Sequence, residues 1–227
     1  MKQLLIIGAG GYGGVVYDIA KLNGYENIAF LDDSPKDKVV GKISEFEKFK
    51  DDAEFVLAIG DNTLRERFYN MLTENGAKVI SLAHPSAIVA ESAFVDNGTV
   101  IMAGAIINPN AKVGRAVIVN TCCSIDHDSV VEDFTHISVG ARICGTVHVG
   151  SRTFVGAGAT IINNISVCAN CMIGAGAVVV KNISAPDTYV GTPAGRKLKT
   201  VISDMNSKPI HIQKRIWLPI FVPNWRS

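Results

Sequence analysis

A single histidine between two aspartates is the part of this sequence best suited to acid–base chemistry: Asp126-His127-Asp128. A neutral imidazole can take a proton near pH 7, and a neighbouring carboxylate can orient the ring and raise its basicity. Adjacent residues usually point in different directions, so the sequence leaves open which aspartate partners the ring. A lone histidine at the surface is an equally good interpretation of these three residues.

Further histidines and the cysteines raise the question of a metal. His136 and His148 follow His127, but no pair among them has the tight or i, i+4 spacing expected of zinc ligands. Cys168-x-x-Cys171 has no second pair, and an odd total of five cysteines indicates reduced thiols in a cytoplasmic protein. We therefore predict no metal site, and packing roles for Cys123, Cys168 and Cys171.

A glycine-rich turn is the second candidate site. Residues 8–13 have the G-x-G-x-x-G spacing, between an apolar strand and a predicted helix. The glycines allow a tight turn, and the free N–H groups of the helix N-terminus suit a phosphate. Asp32, roughly 20 residues on, and Gly60 follow later strands and would lie at the same edge of the sheet. About 80 residues are half of a dinucleotide fold, so a nucleotide-linked ligand is favoured over NAD; the alternative is a turn without a ligand.

Regular elements must position these residues. Strands predicted at 2–8, 28–31, 54–59 and 78–82 alternate with helices at 12–23 and 63–75, which is typical of a small parallel α/β sheet. From Val89 to Val179 every sixth residue is Ile or Val, sixteen in all, and a small residue mostly stands two positions earlier. A period of six fits neither a helix nor a lone strand. It predicts a parallel β-helix in which three hexads close one triangular coil, with about five coils in total.

The pattern divides the chain into three parts. We predict a Rossmann-like α/β half-domain over residues 1–83 and a β-helix over 84–197, joined near Pro85 because proline cannot extend a sheet internally. Residues 198–227 form an apolar C-terminal extension, interrupted by prolines and without the hexad repeat. We expect this extension to dock on its own oligomer or on a partner.

Composition limits the kinds of partner. The chain of 227 residues is 48% hydrophobic and 19% charged, and its net charge is +1. Such a chain is globular and has no general basic field for nucleic acid. Four apolar residues before Gly8 are too few for a signal peptide or a membrane span. We expect a cytoplasmic protein that binds no nucleic acid and has no membrane span.

Taken together, the motifs over about residues 3–197 resemble those of bacterial nucleotide-sugar acetyltransferases of the sialic acid O-acetyltransferase type, within the hexapeptide-repeat superfamily. The resemblance implies an N-terminal nucleotide-sugar-binding domain, a left-handed β-helix and a homotrimer. It also implies acetyl-CoA-dependent acetylation of the 4-amino group of a nucleotide-linked 4-amino-4,6-dideoxy sugar, for surface glycan or O-antigen synthesis. The residues that carry the resemblance are the glycine loop, Phe30-Leu31-Asp32-Asp33, Ala58-Ile59-Gly60-Asp61-Asn62 with Arg65, His84-Pro85-Ser86-Ala87, Asn120-Thr121, His127-Asp128, His136-Ile137-Ser138-Val139-Gly140-Ala141 and Val190-Gly191-Thr192-Pro193-Ala194.

The resemblance also implies roles for individual residues. His127 is the general base, Asp128 is the acid that raises its basicity, and Gly145 offers a backbone N–H to the thioester oxygen. Acetyl-CoA is a co-substrate, and no bound cofactor is expected. The implied acetyl-CoA contacts are His136, Gly145, Ala157 and Ala175, and the implied nucleotide-sugar contacts are Gly10, Gly11, Tyr12, Asp32, Asp33 and Gly60.

Other functions stay open at this point. O-acetylation of a sugar hydroxyl, such as one on a sialic acid, would use the same histidine base. A non-catalytic nucleotide-sugar-binding protein would keep the glycine loop without the chemistry. An NAD-linked oxidoreductase is disfavoured, because a β-helix offers no second half for the cofactor. The chain also departs from the family: Tyr12 stands where many relatives have histidine, and the extension after Lys197 has no counterpart in compact members.

Overall fold

The N-terminal residues form a five-stranded parallel sheet with helices between the strands. The computed structural model of the protein describes residues 2–197, so the predicted extension over 198–227 lies outside the described residues. The sheet has the order β3-β2-β1-β4-β5 and is Rossmann-like, as the alternating pattern predicts. Its elements are β1 Gln3–Ile7, α1 Gly11–Leu22, β2 Ile28–Leu31, β3 Val39–Gly41, a 3₁₀ helix Ile43–Lys48, β4 Ala53–Leu57, α2 Asn62–Glu74 and β5 Lys78–Val79.

Two features of this domain differ from the prediction. The short strand β3 and the 3₁₀ helix after it carry too few apolar residues to give a periodic signal, and the sequence reading missed both. The strand predicted over 78–82 is divided between two sheets. Val79 ends the N-terminal sheet, whereas Leu82 is already paired with Val100 in the next part of the chain. A continuous apolar run cannot tell which of two neighbouring sheets each residue joins.

Residues 82–196 wind into a triangular prism of three sheets, named here sheets I, II and III in the order in which the chain visits them. Strands are numbered in chain order. Sheet I contains β6 Leu82–Ala83, β9 Val100–Ile101, β12 Ile118–Val119, β15 His136–Ile137, β18 Phe154–Val155, β21 Met172–Ile173, β23 Thr188–Val190 and β24 Gly195–Arg196. Sheet II contains β7 Ile88–Val89, β10 Ile106–Ile107, β13 Ser124–Ile125, β16 Arg142–Ile143, β19 Thr160–Ile161 and β22 Val178–Val179. Sheet III contains β8 Phe94–Val95, β11 Lys112–Val113, β14 Val130–Val131, β17 His148–Val149 and β20 Ser166–Val167.

The prism has the repeat that the hexads predict. Up to β22, each strand pairs in parallel with a strand 18 residues away, as Ile107 does with Ile125. In sheet I, β21 pairs with β23 across 16 residues, and the final pair β23–β24 is antiparallel. The chain turns at three edges, which are called the I–II, II–III and III–I edges after the sheets that meet there. Because the prism is triangular, the II–III edge lies opposite sheet I.

The ladder of Ile and Val fills the interior of the prism. From Ile101 to Val179 the ladder positions are buried, and each such side chain contributes about 1.5–3 kcal/mol of hydrophobic stabilisation. The small residues two positions earlier are also buried, and the polar ones among them are satisfied. Thr99 Oγ1, for example, donates to the carbonyl of Gly114 at 2.8 Å and accepts from the N–H of Val117 at 3.1 Å. The cysteines in these positions, Cys123 and Cys171, are buried free thiols, which confirms their predicted packing role.

The N-terminal domain packs against the outer face of sheet I. Val100, Met102 and Ile118 of the prism share one buried apolar cluster with Leu4 and Ile6 of β1. The contact continues at the III–I edge, where the rings of Tyr69 and Phe134 meet edge to face with their centroids 5.6 Å apart. No helix in residues 2–197 is long and apolar enough to cross a membrane.

Candidate active site

His127 lies on the II–III edge of the prism, in the turn between β13 and β14. Its Nδ1 atom is 2.8 Å from Oδ2 of Asp128, so the ionised carboxylate accepts the Nδ1 proton and leaves Nε2 free to act as a base. The backbone of Asp128 is left-handed, with φ 58°, and this turn folds its side chain back toward the ring. Both side chains are about half exposed, 53% and 51%, so an approaching ligand can reach the pair.

Asp126 has a different task, which answers the question that the sequence left open. Its Oδ1 atom accepts the backbone N–H of His127 at 2.8 Å and the side-chain amide of Asn108 at 2.7 Å. These two bonds hold the carboxylate beside the backbone. Asp128 is therefore the partner of the ring, and Asp126 fixes the turn that carries it.

The two carboxylates shift the proton affinity of the imidazole. The hydrogen bond to Asp128, supported by the negative charge of Asp126, raises the pKa of His127 above its ordinary value. The hydrogen bonds from His127 and then from Asn110 lower the pKa of Asp128. The pair consequently consists of an ionised carboxylate and an imidazole of increased basicity, which suits proton abstraction near neutral pH.

Gly145 lies one coil above His127 on the same edge. A Cβ atom on this residue would stand 2.6 Å from Nε2 of His127, so only glycine leaves room for the ring in this position. Within residues 2–197, the N–H of Gly145 donates to no acceptor, whereas the next amide, that of Thr146, donates to the carbonyl of His127 at 2.9 Å. Gly145 thus lies against the basic nitrogen and has an N–H group that no acceptor in residues 2–197 occupies.

A second group of predicted residues meets at the junction of the two domains. Gly11, Tyr12 and Gly60 of the N-terminal domain and His136 of β15 line a cavity of about 350 Å³, together with Asn120 from the I–II edge. Added Cβ atoms on Gly10, Gly11 and Gly60 would meet nothing within 4 Å, so this side of the glycine turn is open. The cavity therefore joins part of the predicted nucleotide-sugar site to a residue that was assigned to acetyl-CoA.

His136 is held in one tautomer in this cavity. The Oδ1 atom of Asn120 accepts the N–H of Thr121 at 2.8 Å, which directs the amide Nδ2 of Asn120 toward Nε2 of His136 at 3.1 Å. Nε2 is therefore the acceptor, and the proton is on Nδ1. Burial, supported by the positive charge of Arg65, lowers the pKa of His136 to about 4, so the ring is neutral at physiological pH.

The glycine turn itself is held by Asp32. Its two carboxylate oxygens accept the N–H of Ala9 at 2.7 Å and that of Ser34 at 2.8 Å, and Asp33 accepts the N–H of Ile43 at 3.3 Å. Neither aspartate lines the junction cavity. Asp32 thus fixes the turn, whereas its predicted contact with a ligand stays a prediction.

Gly8 and Gly13 of the turn are required by the local structure. Gly8 has φ +102°, and an added Cβ would lie 2.8 Å from Ile59. A Cβ on Gly13 would lie 2.3 Å from the carbonyl oxygen of Gly8, so α1 could not start so close to β1 with any other residue.

Arg65 of α2 connects the two domains beneath the cavity. The side chain is 1% exposed, and its guanidinium donates to the carbonyls of Ala116 at 2.7 Å, Phe134 at 2.6 Å and Gly60 at 3.1 Å. Burial lowers the pKa of Arg65 to about 10, and the guanidinium still keeps its charge at neutral pH. This residue fixes how the glycine turn faces sheet I.

The two groups of residues occupy different sides of the prism. His127 and Gly145 lie on the II–III edge, and the junction cavity opens on sheet I, which is opposite that edge. The interior between them is filled by buried aliphatic side chains. The junction cavity and His127 therefore lie on opposite sides of the prism.

Ala157 and Ala175 are exposed on the I–II edge, stacked one coil apart, with the carbonyl of Ala157 accepting the N–H of Gly176 at 2.9 Å. They share this edge with Asn120 of the junction cavity. The residues predicted to contact acetyl-CoA are therefore divided, because Gly145 lies on the II–III edge.

Metal binding has no support in the described part of the chain. No group of three or more His, Cys, Asp or Glu residues in 2–197 could hold a metal ion. Three of the histidines in the prism lie on different sides, since His136 is on sheet I, His148 on sheet III and His127 on the II–III edge.

Sequence reasoning missed the residues below the histidine and under the cavity. Asn108 and Asn110 stand 18 residues before Asp126 and Asp128 and hydrogen-bond to them. A search of the hexad run for polar residues one full coil apart would have found both pairs. Arg65 entered the sequence analysis as part of a motif, and no local signal shows that its side chain would be buried.

Known proteins share sequence similarity with this chain. The family described as the PglD N-terminal domain matches residues 3–72. UDP-N-acetylbacillosamine N-acetyltransferase of Bacillus subtilis (strain 168) is 36% identical over 113 residues, which are 45% of this chain and 52% of that protein. The chain thus spans about half the length of the curated relative it matches.

Two solved structures match over nearly their full length. The acetyltransferase domain of PglB from Neisseria gonorrhoeae FA1090, in complex with acetyl coenzyme A, is 33% identical with a TM-score of 0.85 and covers 86% of this chain and 99% of that one. A histidine-to-asparagine variant of perosamine N-acetyltransferase from Caulobacter crescentus, in complex with CoA and GDP-perosamine, is 30% identical with a TM-score of 0.84 and covers 88% and 98%.

The fold, a Rossmann-like domain on one face of a three-sheet prism, is thus shared with solved acetyltransferases. This chain belongs to the nucleotide amino-sugar acetyltransferase family, as its motifs predict.

Proposed function

We propose that the protein transfers an acetyl group from acetyl-CoA to the 4-amino group of a nucleotide-linked 4-amino-4,6-dideoxy sugar. One observation carries the proposal: the His127–Asp128 pair, whose free Nε2 adjoins Gly145, a residue whose N–H has no acceptor within residues 2–197. A base beside an N–H donor is what aminolysis of a thioester needs. Relatives whose names specify N-acetylation of nucleotide-linked amino sugars support the choice of acceptor.

The reaction follows from these groups. The neutral amine attacks the acetyl carbonyl carbon, and Nε2 of His127 takes a proton from the nitrogen as the C–N bond forms. Asp128 stabilises the resulting imidazolium. The N–H of Gly145 donates to the oxyanion, and one such donor is worth about 3 kcal/mol. The C–S bond then breaks, and the imidazolium returns its proton to the CoA sulfur, so no covalent acyl-enzyme and no cysteine is required.

The same geometry supports a site shared between protomers. The junction cavity and the I–II edge would hold the nucleotide sugar and part of acetyl-CoA in one protomer, through Tyr12, Gly60, His136, Ala157 and Ala175. His127 and Gly145 would come from the II–III edge of the next protomer. A contact between two different edges is heterologous, and three copies close it into a ring. We therefore propose a homotrimer whose coils wind left-handed, as the sequence resemblance implies.

The domain roles follow from this arrangement. Residues 1–83 would bind the nucleotide, with Gly10, Gly11, Asp32 and Asp33 at the carboxyl ends of the strands, and residues 84–197 would carry the acyl transfer. Acetyl-CoA would act as a co-substrate. Supply of acetyl-CoA in the cytoplasm makes this the proposed compartment.

The first test measures turnover with purified protein, acetyl-CoA and a panel of UDP-, dTDP- and GDP-linked 4-amino sugars, following the free CoA thiol. His127→Ala should keep its oligomeric state and lose about 10²–10⁴-fold in kcat. His148→Ala is the matched control, because His148 is similarly exposed and pairs with Glu132, and it should change kcat less than twofold. Near-normal turnover of His127→Ala would reject the proposed base.

The second test asks whether the site is shared. Gly11→Trp would fill the junction cavity and His127→Ala would remove the base, and each variant alone should be inactive. Co-expression of the two in equal amounts should give mixed trimers with about a quarter of wild-type activity, since random assembly leaves that share of edges intact on both sides. No activity in the mixture would mean that both groups must come from one protomer.

A further inference from the structure

We infer that Asn110 is a positioning residue for the reaction: its side-chain amide holds the carboxylate of Asp128 in the orientation that fixes the His127 ring. This inference rests on the proposed role of His127 as the base. Asn110 lies on the coil below His127 and makes no hydrogen bond to the imidazole; it bonds to Asp128.

The geometry is a ladder of two neutral amides under two carboxylates. Nδ2 of Asn110 donates to Oδ1 of Asp128 at 3.1 Å, and Nδ2 of Asn108 donates to Oδ1 of Asp126 at 2.7 Å, each across 18 residues. Oδ2 of Asp128 is left for Nδ1 of His127 at 2.8 Å. The amide thus occupies one carboxylate oxygen and directs the other at the ring.

An exposed carboxylate needs such a support. Asp128 is about half exposed, and a single hydrogen bond to an exposed imidazole does not select one rotamer of the carboxylate against water. Asn110 stands one coil below Asp128, so its amide adds the second contact that favours this orientation of the carboxylate. Asn108 does the same for Asp126, which keeps that carboxylate on the backbone of His127 and away from the ring.

The charged surroundings of the imidazole are few in the described part of the chain. The coil below it, at 108–110, contributes neutral side chains. The coil above carries the thiol of Cys144 and the guanidinium of Arg142. Burial, and then the negative charge of Asp126, raise the pKa of Cys144. The charged groups that act on the His127 imidazole are Asp128 and Asp126. The adjacent coil adds Cys144, which interacts with Asp126 and with Arg142.

The test uses Asn110→Gly in the full-length protein. Asn110 has φ 61°, a conformation that glycine adopts without strain, so the variant removes the amide and keeps the coil. Asn164→Gly is the matched control: Asn164 also has φ 61° and stands on the same edge, one coil above Gly145. The pKa and tautomer of His127 are read by NMR of histidine-labelled protein, with His127→Ala to assign the signal.

We expect Asn110→Gly to lower the pKa of His127 from its wild-type value and to reduce the share of the Nδ1–H tautomer. Turnover should fall about tenfold in kcat, with unchanged KM for acetyl-CoA and acceptor, because binding groups are untouched. Asn164→Gly should leave the His127 pKa unchanged and kcat within about twofold. A wild-type pKa and tautomer in Asn110→Gly would overturn the inference. If instead His127→Ala retained turnover, the proposed function would fail, and the NMR result would still decide the role of Asn110.

Discussion

Gly145 lies directly against the imidazole of His127: a Cβ atom added to the glycine would stand 2.6 Å from Nε2 and 2.7 Å from Cε1. The two residues are on adjacent coils of one edge, 18 positions apart. Because the coils repeat every 18 residues, the ring of His127 lies against position 145, where glycine leaves room for it.

Substitution of Gly145 should remove activity without unfolding the protein. In Gly145→Ala the methyl group displaces the exposed ring of His127, and we expect kcat to fall by at least about 10²-fold, close to loss of the base itself. Gly195→Ala, whose Cβ meets nothing within 4 Å, is the control. In a double-mutant cycle, adding Gly145→Ala to His127→Ala should cost little more. Additive losses would mean that Gly145 acts independently of the ring.

The pH dependence of kcat/KM should reflect the Asp128–His127 pair. The base must be unprotonated, so the rate rises as pH increases through the pKa of His127, which Asp128 holds above its ordinary value. In Asp128→Asn this support is lost, and the rise should move to lower pH while the plateau falls about tenfold or more. Asparagine tolerates the left-handed backbone at this position. An unmoved profile would show that another group controls the proton.

Substitution of Arg65 should destabilise the protein, because this side chain connects the two domains. Arg65→Ala leaves several buried carbonyls of both domains without donors, and we expect the free energy of unfolding to fall by about 3–5 kcal/mol. Arg67→Ala, exposed on the same helix, should change it by less than about 0.5 kcal/mol. Urea unfolding at one protomer concentration measures both. Equal effects of the two substitutions would contradict the connecting role of Arg65.

Stability should fall in mild acid partly through His136. Its folded pKa is about 4, below the unfolded value of about 6.5, so the unfolded chain binds an extra proton between these values. Stability is therefore fully present above about pH 6.5 and is lost as pH falls toward 4. His136→Phe should show a shallower decline of Tm between pH 7 and 5 than wild type, because its ring cannot bind the proton. Parallel declines would mean that carboxylates alone cause the acid sensitivity.

The substitution Tyr12→Phe should stabilise the unliganded protein. Its hydroxyl is buried without a hydrogen-bond partner in the described part of the chain, and burial raises its pKa. Removing an unsatisfied hydroxyl should raise the free energy of unfolding by about 1 kcal/mol. Tyr25→Phe is the opposite case, since its hydroxyl donates to Glu54 at 2.7 Å, and it should destabilise. A loss of stability in Tyr12→Phe would indicate a partner that this geometry lacks.

The sequence determined the parts of this protein that repeat locally. The hexads specify which side chains face inward, because the residue two positions before a ladder Ile or Val also points into the triangular coil, and Ala105, Cys123 and Ala141 are all buried there. Glycine spacing likewise identified the turn between β1 and α1, since the close approach of Gly13 to the Gly8 carbonyl admits no other residue.

Only the tertiary structure decided which residues meet. The choice of Asp128 over Asp126 depends on turn dihedrals and on amides from the coil below, and neither is visible in the three residues themselves. The placement of His127 opposite the junction cavity depends on the number of residues per coil and on the face of the prism that the N-terminal domain covers. Sequence patterns report the burial of single residues, whereas contacts over 18 or more positions exist only once the coils stack.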